Sequence, residues 1–202
     1  ILIEIKFASI CHSDIHQEKG HWGKQQYPQV PGHEIVGVVT AIGKNVSKFK
    51  IGDRAGVGCM VDGCTTCEEE QYEDGTKFTY GYADEREPTK ITQGGYSTHI
   101  VVNNHFAVHI PNNLSFEKAA PLLCAGITTY SPIMKAQINK GDKVAVAGIG
   151  GLGHMAVKLA VSKGAEVYAF TTSADKVKDI KAFGAKEVIV VDNKEKFLAY
   201  QG

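Results

Sequence analysis

The 202-residue chain carries 22 Lys+Arg against 22 Asp+Glu, a formal charge of zero, so no field of one sign recruits a polyanion or an anionic membrane, and nucleic acid is not an expected partner. With 43% hydrophobic and 22% charged residues, and 22 glycines for 6 prolines, the composition is that of a globular protein able to bury a core and not that of a disordered one. Five cysteines, at 11, 59, 64, 67 and 124, are an odd number that suits metal ligands and free thiols better than a disulfide framework, which makes a cytoplasmic location the expectation.

The chain opens on Ile1, directly in the strand-like ILIEIKF, and reads as an excerpt of a longer protein. As far as about Pro111 the pattern is short and β-like: EIVGVVTAIG and HIVV are apolar, β-branched runs set off by PGHE, IGDR, QGGY and VNN turns. Within it, EEEQYEDG (68 to 75) is a short acidic run that reads as a solvated loop. Between Ser115 and Met134, Ser115 is a candidate N-cap and AAPLLCAGITTYSPIM predicts helix segments broken at Pro121 and Pro132, the passage between two domains. From Asp142 the period becomes regular, with VAVAG as a strand, LGHMAVKLAVSKG as a helix closed by Gly164, EVYAFTT as a strand, ADKVKDIKAFG as a helix and KEVIVV as a strand. That is βαβαβ, half of a doubly wound sheet. The longest apolar region, Val144 to Val161, is interrupted by glycines, His154 and Lys158, so no membrane span or secretory signal is read here.

Gly148, Gly150 and Gly153 form G-x-G-x-x-G directly after the strand and directly before the helix, with Ile149, Gly151 and Leu152 between them. In that context the first glycine allows a tight turn, the second lets the backbone approach a pyrophosphate, and the third permits close packing of helix on strand. The competing reading is a tight strand-to-helix turn with no ligand. A site for NAD would place Asp or Glu at the end of the second strand. Here that end reads Phe170, Thr171, Thr172, Ser173, with hydroxyls that donate to a 2′-phosphate and Lys176 nearby to supply charge, so NADP(H) is expected. Against it, Thr171 to Ser173 also suit a cap for the following helix, and Asp175 is close.

Cys11 stands in ICHSDIH, His33 in PGHE and Cys124 in LLCAG. Thiolate, imidazole and thiolate are the ligands of a catalytic zinc that keeps one position open, although spacing this long is not diagnostic and a lone cysteine or histidine is usually inert. Their surroundings are more specific: CHSDIH, PGHEIVG, KFKIGD, GVGC, GGYS, LLCAGITTYSP and GIGGLGHMAVKLA follow in this order across nearly the whole chain. Together they closely resemble the zinc-dependent medium-chain alcohol dehydrogenases, in particular the cinnamyl-alcohol-dehydrogenase-like branch.

That resemblance implies an α/β chain with a GroES-like β-rich catalytic domain over 1–133, incomplete at its N-terminus, and the first half of a Rossmann NADP-binding domain over 134–202, incomplete at its C-terminus. It implies zinc held by Cys11, His33 and Cys124, with Glu34 as a nearby or alternating ligand and Asp14 orienting the imidazole from behind. The reaction it implies is hydride transfer between NADPH and an aromatic or aliphatic aldehyde or primary alcohol. By the same match Ser13 and His16, one helical turn apart, carry the proton out, His12 and Thr128 donate to the cofactor, and Trp22 walls the substrate pocket. The alternative for Trp22 is packing on the domain surface; for His12 and His16 it is an ordinary exposed histidine. A homodimer is implied for the full-length protein.

Relatives carry a second, structural zinc on four cysteines. This chain keeps Cys64 and Cys67 but has Glu70 and Phe78 at the other two positions, so a four-thiolate site is not expected there, and Cys59 with a glutamate would complete only a weaker set. Two other readings compete with an active reductase. One is a catalytically silent dinucleotide-binding fragment or pseudoenzyme. The other is a zinc-free quinone reductase of the same superfamily, which would lack Cys11, His33 and Cys124 as a set.

Overall fold

The computed structural model describes residues 1–64, 75–84, 87 and 90–191. Cys67, Glu70 and the acidic run up to position 74 lie outside the described residues. The chain divides into two compact units, Ile1–Cys124 and Ala125–Gly202.

In the first unit the strands are β1 (Leu2–Ala8), β2 (Ile35–Ala41), β3 (Arg54–Val57), β4 (Met60–Asp62), β5 (Lys77–Phe78), β6 (His99–Val101) and β7 (Ala107–His109); helix α1 (His12–Glu18) follows β1, and α2 (Phe116–Ala119) follows β7. Five strands form an antiparallel sheet in the order β6-β1-β2-β3-β7, and β4 pairs with β5 in a separate ribbon. The central strand β2 is buried on both faces, which is why it reads as a continuous apolar run and does not alternate. Ile35 and Val39 join Ile3, Val57 and Ile100 in one core, while Val36 faces Ile110, Ala119 and Ala120 in a second. Each such fully buried Val or Ile contributes about 1.5–3 kcal/mol.

The second unit begins with α3 (Ala125–Lys135) and continues as β8 (Lys143–Ala147), α4 (Gly151–Ser162), β9 (Glu166–Thr171), α5 (Val177–Ala182) and β10 (Glu187–Val190). The three strands are parallel, in the order β10-β9-β8, which is the βαβαβ half-sheet expected from the alternating periods. Val157, Ala160, Val167, Ala169 and Ile180 form its core, joined by Ile133 of α3. The chain passes from one unit to the other between Cys124 and Ala125, at the start of α3 and inside the Ser115–Met134 passage read from the sequence, ahead of the 133/134 bound.

One expectation is corrected. Pro132 does not break the helix but lies inside α3, which runs on to Lys135. A proline so near the C-terminus forfeits one helical hydrogen bond, and its own carbonyl still accepts from Ala136 N–H at 2.9 Å. The other break does occur: Pro121 falls at the start of a 3₁₀ turn, Ala120–Leu123, that separates α2 from α3.

Candidate functional site

Helix α1 begins at an N-cap, Cys11, with extended backbone, and Asp14, three residues on, accepts from the Cys11 N–H at 2.9 Å. This reach-back satisfies an otherwise orphaned helix donor, and it also sinks the Asp14 carboxylate into the protein, where it is 4% exposed. The carboxylate then accepts from Gly32 N–H (3.0 Å), from Tyr96 Oη–H (2.8 Å) and from His33 Nδ1 (2.9 Å). The Tyr80 hydroxyl lies 3.1 Å from the same His33 nitrogen. Burial alone would push the Asp14 carboxyl up, but the donors from His33, Cys11, Tyr80 and Tyr96 outweigh it and hold the group well below the usual carboxylate range. Burial likewise opposes charge on His33, yet its bond to Asp14 prevails and raises the imidazole to about 9. Asp14 thereby fixes the tautomer: Nδ1 is engaged, and Nε2 is the nitrogen left to bind something else.

Cys11, His33 and Cys124 are all buried, and one donor atom from each lies within 4.8 Å of the others. A tetrahedron built on Zn–S bonds of about 2.3 Å and Zn–N bonds of about 2.0 Å has edges of roughly 3.5–3.8 Å, which the 4.8 Å limit on these separations admits. Two soft sulfurs and an imidazole backed by a carboxylate are chemically a zinc donor set. Glu34 is buried beside His33 in the chain at 2% exposure, but it stands outside this triangle, and its carboxylate accepts from the Ser9 hydroxyl.

A cavity of about 610 Å³ adjoins these ligands, lined by Ser13, Trp22, His33, Cys59, Phe78, Tyr80, Tyr82 and Cys124 among others. The Ser13 hydroxyl is 3.6 Å from Cys11 Sγ. Trp22 lines the cavity, with its ring 5.4 Å from that of His16, and is at the same time largely exposed, at 59%. His16 lies on α1 with its Nδ1 2.8 Å from His21 Nδ1, and His12 is exposed; neither lines the cavity.

Cys59 makes a hydrogen bond to Cys124, which lowers the Cys59 thiol to about 6 and raises that of Cys124: the two sulfurs share a proton, so the first is lost easily and the second with difficulty. The signal in sequence is the preceding glycine. A Cβ at Gly58 would sit 2.7 Å from the Leu123 carbonyl, and only that close approach brings Cys59 to Cys124. Tyr80 and Tyr96 were also not foreseen as donors to Asp14.

In the second unit a cavity of about 490 Å³ is lined by Gly148, Ile149, Gly150, Thr171, Thr172, Ser173 and Lys176, with Ala147, Phe170 and Val191. Gly150 is the N-cap of the twelve-residue α4 and offers no capping side chain, so the helix leaves its first N–H groups toward open space. Gly153 is hemmed in: a Cβ there would fall 2.0 Å from the Gly148 carbonyl. Gly151, Leu152 and Gly153 do not line the cavity, and Thr128 is exposed on α3 and lines neither cavity. Lys176 Nζ donates to Ile149 O at 3.3 Å, bringing the ammonium to the glycine loop, and Thr171 Oγ1 accepts from Ser173 N–H at 3.1 Å.

Residues 1–112 match the alcohol dehydrogenase GroES-like domain family. The chain is 49% identical to NADP-dependent alcohol dehydrogenase C 1 of Mycolicibacterium smegmatis, over 98% of its own length and 58% of that protein's. It is 48% identical to the aldehyde reductase YahK of Escherichia coli, over 99% and 59%. Among solved structures, a cinnamyl alcohol dehydrogenase from Sorghum bicolor superposes with a TM-score of 0.92 at 41% identity, covering 98% of this chain and 58% of that one. The chain thus spans about three-fifths of the length of the curated relatives it matches. With a GroES-like unit, a parallel βαβαβ unit and nearly half its residues shared with these proteins, the chain belongs to the zinc-dependent medium-chain alcohol dehydrogenases, in their cinnamyl-alcohol-dehydrogenase-like branch.

Proposed function

We propose that the complete protein is a zinc-dependent alcohol dehydrogenase working mainly as an aldehyde reductase with NADP(H). The observation that carries this reading is the convergence of Cys11, His33 and Cys124, with the buried Asp14 carboxylate on the imidazole nitrogen a metal does not need. Cys11, His33 and Cys124 would hold Zn²⁺, and Glu34 is the neighbouring carboxylate we assign as alternating ligand. When bound, zinc supplies Lewis acidity toward a carbonyl oxygen and the reduced nicotinamide supplies hydride.

The chain's own residues orient and protonate. Asp14 keeps His33 Nδ1 protonated and so presents Nε2. Ser13, on the cavity wall, holds at Oγ the proton that the product oxygen takes up. His16, one turn along α1, exchanges that proton with water; its Nδ1 is committed to His21, which leaves Nε2 for the transfer. Trp22, Phe78, Tyr80 and Tyr82 give the cavity an aromatic lining that suits aromatic or extended apolar aldehydes, and the likeness to a cinnamyl alcohol dehydrogenase supports the same substrate class.

For the nucleotide, the open N-terminus of α4 offers backbone N–H groups to a pyrophosphate. At the end of β9 stand Thr171, Thr172 and Ser173, with Lys176 on the same cavity and no carboxylate among its lining residues, a set that accepts a 2′-phosphate. The mycobacterial relative is named as NADP-dependent, which supports this choice. A cytoplasmic location and, for the full-length protein, a homodimer complete the reading. No helix among the described residues is long and apolar enough to cross a membrane.

The test is metal analysis of the full-length gene product paired with NADPH and NADH oxidation on a panel of aromatic aldehydes. Zinc at the thiol site and faster NADPH oxidation are expected. Stoichiometric zinc with no turnover of any aldehyde would instead indicate a silent dinucleotide-binding protein.

A further inference from the structure

Helix α1 ends in a second cluster of imidazoles, separate from the thiol ligands. Gly20, at φ +64°, donates its N–H to Gln17 O (3.1 Å), and His21 donates its N–H to His16 O (3.0 Å). These are the two bonds of a Schellman turn, a geometry that brings the side chain just past the helix end against the one a turn back inside it. The pair so joined is ordinarily apolar. Here it is His21 and His16, with Nδ1 atoms 2.8 Å apart and ring centroids at 5.1 Å. His12 is four residues before His16 on the same helical face, its ring centroid 4.7 Å away. Local backbone geometry has thus paired two imidazoles at the C-terminal end of α1, with His12 at the first helical position beside His16 and the Trp22 ring 5.4 Å from that of His16.

We infer that His16 and His21 form a two-imidazole surface site for a borderline divalent transition-metal ion such as Ni²⁺ or Cu²⁺, with His12 beside the pair and water completing the ion's coordination. Imidazole nitrogen selects such ions over Mg²⁺ and Ca²⁺, which take oxygen. Two metal–nitrogen bonds of about 2.0 Å at a right angle span roughly 2.8 Å, which is the separation present; each ring turns by about 45° from the line joining the nitrogens to point its lone pair at one ion. The proton shared between the two Nδ1 atoms leaves to water as the ion enters. Desolvation and the neighbouring His12 and His21 hold His16 below its ordinary value, so its neutral, ligating form prevails near neutrality. Binding stands on this geometry alone. Its consequence, inhibition, rests on the reading of His16 as the proton exit, because an ion held on that imidazole blocks exchange with water.

Trp22 is the only tryptophan of the chain, so its fluorescence reports on the site directly. Ni²⁺ titrated into the zinc-loaded chain is expected to quench it in a saturable, one-equivalent fashion. His21→Gln should weaken the titration at least about tenfold, since one of two primary ligands is lost, while Mg²⁺ should do nothing. In Cys124→Ser the Ni²⁺ quench should persist. Absence of quenching, an unchanged titration in His21→Gln, or a quench lost in Cys124→Ser would each overturn the site, the last by placing the ion among the thiols. With the full-length protein, aldehyde reduction should fall as Ni²⁺ saturates and recover with a chelator. Quenching without inhibition would leave the metal site standing and remove His16 from the proton path.

Discussion

The nucleotide cavity takes its polar parts from one stretch of chain, Gly148 to Lys176, whereas the thiol and imidazole ligands come from Cys11, His33 and Cys124, gathered across the whole first unit. The two also differ in how far their groups are already committed. Around Asp14 nearly every lone pair has a donor, and the proposed ligands are buried and held in place. Around the glycine loop the reverse holds: Gly148 and Gly150 face open space, and the first N–H groups of α4 have no capping side chain. A cation needs a rigid, deprotonated donor set of fixed radius, and a pyrophosphate needs uncommitted backbone donors at a helix end. A preorganised buried cluster and an open loop are therefore two solutions to two different ligands.

The largest effect is expected where the assembled cluster is broken. Cys11→Ala or His33→Ala should take the zinc at this site from one equivalent to none by metal analysis and lower aldehyde turnover by several orders of magnitude. Near-normal zinc and activity in either variant would remove the triad from the mechanism. The local site should instead respond to a backbone clash. Gly153→Ala places a methyl group 2.0 Å from the Gly148 carbonyl, and the forced shift should cost about 1–3 kcal/mol of stability and weaken NADPH binding. At Gly151 an added Cβ meets nothing within 4 Å, so Gly151→Ala should be neutral or stabilising by up to about 1 kcal/mol. Equal melting temperatures for the two variants would show that the loop tolerates the clash and that its shape is not fixed by Gly153.

The same contrast explains what the sequence made legible. The βαβαβ unit announces itself because strand, glycines and helix are contiguous, so period and motif coincide. The first unit offers no such local signature: the three ligands are ordinary residues at distances that carry no information, and only seven motifs in register pointed to them. Three features escaped altogether. Tyr80 and Tyr96 reach Asp14 through tertiary packing, which no local pattern encodes. The meeting of His21 with His16 is written locally, in a glycine four residues after a helical histidine, but demands that the helix end be placed to the residue. Pro132 reads as a breaker because its missing N–H and its ring against the carbonyl of Thr128 disfavour the helix locally, a cost that tertiary packing of the helix through Ile133 offsets.

A finer probe of the open site is its nucleotide preference. Thr171 is buried at the end of β9, with its hydroxyl accepting from the Ser173 N–H. Thr171→Asp preserves that acceptor and adds a charge where a 2′-phosphate would sit. The ratio of kcat/KM for NADPH over NADH should fall by about tenfold or more. An unchanged ratio would mean that the phosphate is read elsewhere.

The smallest expected effect is at Cys59, and it sharpens the count of ligands in the preorganised cluster. Its thiol shares a proton with Cys124 and lines the cavity beside His33, so it is close enough to be mistaken for a ligand. If three residues suffice to hold the ion, Cys59→Ser should keep full zinc occupancy, because a hydroxyl replaces one weak hydrogen bond with another. The change in stability should stay within about 0.5–1.5 kcal/mol, read by denaturant titration of the zinc-loaded chain. Loss of zinc from this variant would make Cys59 a fourth ligand, and a site closed by four protein donors is built for structure and leaves no position for substrate. Retained zinc with altered aldehyde KM would instead identify Cys59 as part of the substrate wall, in keeping with its place on the same cavity as His33, Phe78, Tyr80 and Tyr82.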